Sequence, residues 1–139
     1  MSVPQNPFIA EQFHVFKYDV SGGDSGAIAT HVIGKLPPTF TITQAWLDVQ
    51  TTFTSAADSA TIGLGYTGSV SAFDAPIAID NGGNPWDAAA PRVSDGAADG
   101  LVANFVVIGA STVNVVAVVA VQALTAGKLL LCVKGYVAR

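Results

Sequence analysis

The chain has 139 residues and 14.2 kDa, enough for one domain able to bury roughly two-thirds of its unfolded surface without a metal or disulfide. Hydrophobic residues make up 50% and charged residues only 12%, about half the usual share, so part of the surface is rich in uncharged polar groups or is covered by another protein. The net charge of −4 and six scattered cations (Lys17, Lys35, Arg92, Lys128, Lys134, Arg139) argue against direct nucleic-acid binding, and one cysteine excludes an internal disulfide.

Residues 1–12 read as an extended N-terminal arm. Pro4 and Pro7 oppose a helix, and the stretched segment reaches about 40 Å. Val3, Pro4, Pro7, Phe8 and Ile9 supply apolar contacts that a solvated tail does not need. Two readings stand: a loose terminus, or an arm docked on a neighbouring subunit. Met1–Pro7 lacks the cationic start and apolar run of a secretory signal.

The domain spans 13–139. Phe13–Val20 alternates, with His14, Phe16, Tyr18 and Val20 on one face. Ser21–Gly26 is a turn cluster, and Ala27–Gly34 is a strand closed by Lys35-Leu36-Pro37-Pro38. Next, Ala45, Leu47, Val49, Thr51 and Phe53 share one face, with Trp46, Asp48, Gln50 and Thr52 opposite. After a turn at Ser55–Ser59, Ala60, Ile62, Leu64 and Tyr66 point one way and Thr61, Gly63 and Gly65 the other. No segment has a helical period, and only Ser71–Ile79 leaves room for one short helical turn.

Residues 80–100 form a long surface loop rich in Gly, Pro, Asn and Asp, with Trp86 and Arg92 as candidate contacts. Leu101–Val121 is uncharged and long enough for a bilayer. Asn104, Gly109, Ser111, Thr112 and Asn114 divide it, so two buried strands are expected and no membrane partner. In Thr112–Gln122 and Lys128–Ala138 both faces are apolar, as in central strands or in strands facing a partner. The pattern predicts an all-β fold, an antiparallel β-sandwich or jelly-roll-like barrel.

Catalytic inventories are incomplete. Gly23-Asp24-Ser25-Gly26 resembles a serine-protease nucleophile loop, but that chemistry needs a histidine base and a buried acid in reach. Only His14 precedes Ser25, and no histidine follows His31. His14 and His31 fall on strands expected to be adjacent, without an evident third metal ligand, and Cys132 reads as a buried apolar thiol. Asp80, Asp87, Asp95 and Asp99 lack the spacing of a calcium loop, although weak calcium binding stays open. The lone glutamate, Glu11, sits in the arm. No enzyme, cofactor or metal is expected.

Several ordered features resemble tailed-bacteriophage capsid decoration (cement) proteins, small structural proteins of the phage head. They are Ile33-Gly34-Lys35-Leu36-Pro37-Pro38, Ala45-Trp46-Leu47-Asp48-Val49, and Thr51-Thr52-Phe53-Thr54-Ser55. Ala60-Thr61-Ile62-Gly63-Leu64-Gly65 and Leu124-Thr125-Ala126-Gly127-Lys128 follow, the latter leading into a terminal strand. The resemblance runs from about Tyr18 onward through short motifs, mostly turn chemistry. It implies a virion location on the outer surface of the capsid, the major capsid protein as partner, and self-association as a homotrimer. The Trp86 loop and the proline-bearing arm depart from the group. A rival expectation is a receptor- or glycan-binding module of a phage tail or fibre, with Trp86 stacking on a sugar ring.

Overall fold

The computed structural model describes residues 9–87, 92–93 and 106–138, and every element in them is a strand. In chain order these are β1 (Ile9–Asp19), β2 (Ala29–Leu36), β3 (Phe40–Ser55), β4 (Thr61–Tyr66), β5 (Ser69–Ala78), β6 (Arg92–Val93), β7 (Val106–Val107), β8 (Val113–Ala120) and β9 (Leu124–Ala138).

Two antiparallel sheets face each other. One has the order β1-β9-β3, with β6 and β7 both on the far side of β3; the other has the order β2-β8-β4-β5. The pairs β1·β9, β2·β8, β3·β6/β7 and β4·β5 are nested, as in a long hairpin folded over on itself. This double-sheet order is that of a jelly roll, which decides between the two architectures expected above.

The two-residue period places the core. From β1, Phe16 and Tyr18 are buried between the sheets, while Phe13, Val15 and Lys17 face outward. β3 buries Phe40 and Ile42, slips by one residue at a bulge between Ile42 and Gln44, then buries Ala45, Leu47 and Val49. From the opposite sheet come Ile62, Leu64, Val115, Ala117 and Val119. Each large aliphatic side chain buried this way contributes about 1.5–3 kcal/mol of transfer free energy.

Close approach, across the sandwich and within a sheet, depends on small residues. A Cβ at Gly34 of β2 would collide with the Phe16 ring of β1. Gly63 of β4 lies under Pro76 of β5, where a Cβ would sit 3.0 Å from the proline Cγ. The segment 71–79, which left room for a helical turn, is therefore a bulged strand laid over the β4 glycines.

One further expectation changes. Residues 9–12, read as the end of the arm, are the first residues of β1 and pair with Ala138 to Gly135 of β9. Gly109–Thr112 turns the chain between β7 and β8, with Ile108 N–H donating to the Phe40 carbonyl and Thr39 N–H to that of Gly109. That turn divides the uncharged stretch as expected, and among the described residues no helix is long and apolar enough to cross a membrane.

Candidate functional site

Of the expected contact residues, Val3, Pro4, Pro7 and Phe8 lie outside the described residues. Ile9 opens β1, and Arg92 lies in β6 opposite Leu47.

Trp86 is not a surface contact. It is 0% exposed, its ring meets Phe53 edge-on at 6.3 Å, and its indole N–H donates to the Ile77 carbonyl at 3.2 Å. Asn84 prepares this placement by accepting the Trp86 backbone N–H on Oδ1 at 2.8 Å. The polar Asn81–Pro85 turn thus delivers a large apolar plug to the core, worth more there than on the surface. The glycan expectation loses the ring on which it stood.

The two histidines are not neighbours, because the chain crosses from one sheet to the other between β1 and β2. His14 packs against Phe40 and its Nε2 donates to Gln12 Oε1 at 2.8 Å; burial lowers its pKa. His31 stacks on Tyr18 at 5.5 Å and donates from Nε2 to the Ala27 carbonyl at 2.7 Å. Among the described residues no three His, Cys, Asp or Glu side chains cluster as metal ligands.

The Gly23–Gly26 segment works as a turn. The Asp24 carboxylate accepts the Asp19 N–H, Ser25 Oγ accepts the Ala27 N–H, and the Ser25 carbonyl accepts the Tyr18 hydroxyl at 2.7 Å. Burial, followed by the Asp24 charge, holds the Tyr18 phenol far above its ordinary pKa. Ser25 Oγ and His31 Nε2 are each held by backbone groups rather than by one another.

What the fold does expose is apolar. On the outer face of the first sheet Phe13 and Val15 are each 61% exposed, and Phe13 stacks on Trp46 with centroids 5.9 Å apart and planes 16° from parallel. Lys134 Nζ lies 5.9 Å from the Phe13 centroid and 3.6 Å from Glu11 Oε1. Half-buried Cys132 and Leu130 complete the patch, so the thiol sits on this outer face rather than in the core. Burial, then the Asp48 carboxylate, pushes that thiol's pKa up. Apolar groups ringed by charges have the anatomy of a protein interface.

A second apolar surface caps one end of the sandwich. Ile28 and Val121 are 58% and 68% exposed, with exposed Ala27, Ala29 and Ala123 around them. Val121 holds φ at 70° in a three-residue turn, with Gln122 N–H donating to the Ala120 carbonyl at 2.8 Å. A β-branched residue in that conformation is strained.

No protein-family model and no curated protein sequence matches the chain. Solved structures do. The chain shares its fold with chains found in phage capsids. A chain of the cyanophage Pam1 capsid asymmetric unit aligns over 99% of this chain and 91% of its own length, with TM-score 0.64 and 16% identity. A chain of the acidic stable capsid of Helicobacter pylori bacteriophage KHP30 aligns over 93% of both, with TM-score 0.58 and 13% identity. A chain of the Ralstonia phage GP4 capsid aligns over 100% and 91%, with TM-score 0.57 and 18% identity. At these identities the likeness is one of fold.

Proposed function

We propose that this chain is a structural, non-catalytic virion protein of a tailed phage, bound to the outside of the head. There, as a homotrimer, it bridges major capsid protein subunits. The observation that carries the proposal is the end-to-end match: over 91–93% of their own length, the capsid chains it resembles are this same jelly roll. The exposed apolar surfaces support a role spent in contact with protein. On a chain with 12% charged residues, the Ile28–Val121 end and the Phe13–Trp46 face are surfaces whose burial against other subunits is favourable.

Bridging explains stabilisation physically. A protein held by two or more shell subunits makes each further contact at high effective concentration, so modest contacts add to a large resistance to shell opening. We assign shell contact to the Ile28–Val121 end together with the N-terminal segment. Phage lacking this chain should yield heads that release DNA at a lower temperature than wild type, and adding the purified chain should restore the wild-type temperature. Heads with an unchanged release temperature would refute the stabilising role.

A further inference from the structure

Strand β1 is one edge of its sheet, and it differs from the other edges among the described residues. β2 is broken by a register shift between Val32 and Gly34; β5 has two register shifts and carries Pro76; β6 and β7 are two residues each. Bulges, prolines and shortness are the devices that keep edges from pairing with other chains. β1 has none of them. Its eleven residues keep unbroken register with β9, it contains no proline, and it exposes Phe13 and Val15. Lys17 is its one outward cation.

The order of side chains says what fits this edge. Glu11, Phe13, Val15 and Lys17 all face outward. If two copies of β1 run antiparallel about a two-fold axis at His14, Glu11 lies opposite Lys17 of the second copy. Phe13 then lies opposite Val15 of the second copy, and symmetry repeats both pairs. The two central pairs are an opposite charge and an apolar match, the cross-strand pairs that stabilise sheets, and only at the strand ends does position 9 come opposite Asp19.

Neighbouring registers lose this. Two residues one way, Glu11 faces Val15 and Phe13 faces itself. Two residues the other way, Glu11 faces Asp19 and Phe13 faces Lys17. A slip of one residue sets outward against inward side chains.

We propose that two copies of this chain join their β1 strands antiparallel, Glu11 opposite Lys17, forming one sheet continuous across both. The contact is independent of the virion reading. On a shell it would tie neighbouring copies, or neighbouring trimers, across local two-fold axes.

The test uses the full chain with Cys132→Ser, carrying either Phe13→Cys or Val15→Cys. Both positions are exposed, so both variants fold. Mixed and mildly oxidised, the two should give a disulfide-linked dimer at several times the yield of either variant alone. Equal yields from Phe13→Cys alone would overturn the register, and no linked dimer in the mixture would overturn the contact. A dimer that forms only after residues 1–8 are deleted would also overturn it, assigning the edge to the chain's own N-terminal segment.

Discussion

Phe53 and Trp86 lock a turn of the 80s segment to the central strand β3: their rings meet edge-on at 6.3 Å, and the Phe53 N–H donates to the Trp86 carbonyl at 3.0 Å. The contact joins two residues 33 positions apart through ring and backbone at once. Trp86→Ala should therefore cost about 3–5 kcal/mol, the range for a buried aromatic. Trp86→Phe keeps an aromatic body but removes the donor to the Ile77 carbonyl, and should cost about 1–3 kcal/mol. Urea denaturation of both variants measures the difference.

Gly127 sits behind the same Phe53 ring, at φ 135°, where a Cβ would run into the ring. Its N–H donates to Ser21 Oγ at 2.9 Å and its carbonyl accepts the Ser21 N–H at 3.2 Å, so the backbone has little room to shift. Gly127→Ala should destabilise by at least the 1–3 kcal/mol typical of overpacking, about that much again coming from the backbone. Gly23, at φ 117° with open space around it, isolates the backbone cost: Gly23→Ala should lose about 1 kcal/mol. Thermal melts of the two variants should differ accordingly.

Val121 should trade stability against binding. Its left-handed backbone favours glycine, so Val121→Gly should stabilise the free chain by about 1 kcal/mol. The same change removes an exposed apolar side chain from the end assigned to the shell. Co-sedimentation with heads lacking the chain should fall while the melting temperature rises. If binding persists unchanged, shell contact lies elsewhere.

Burial lowers the pKa of His14 below 6.5 in the folded chain, whereas the unfolded chain takes up its proton near that value. Between the two values the unfolded state binds more protons, so this residue's effect is to lower stability as the pH falls through that window and none above it. His14→Gln should flatten the fall in urea midpoint from roughly pH 7.5 to roughly pH 5.5. Equal slopes in variant and wild type would contradict this.

Much of the fold is legible in the alternation of Ala45–Phe53 and of the large side chains in Ala60–Tyr66, because a half-buried strand writes its burial into every second residue. What local pattern does not encode is which strands pair. His14 and His31 flank a short turn, as in a hairpin, yet that turn changes sheets. Trp86 sits among Asn, Gly, Pro and Asp, the composition of a surface loop; only the distant partners Phe53 and Ile77 make it core. The outward patch was partly visible in Trp46, but its stacking on Phe13 depends on the order β1-β9-β3, with β9 between them.

The most direct test of the proposed virion role is the copy number of this chain, relative to the major shell protein, in purified particles from its source. A fixed ratio approaching one chain per shell subunit, lost on mild dissociation that leaves the shell intact, is the predicted result. A few copies per particle, or none, would contradict it.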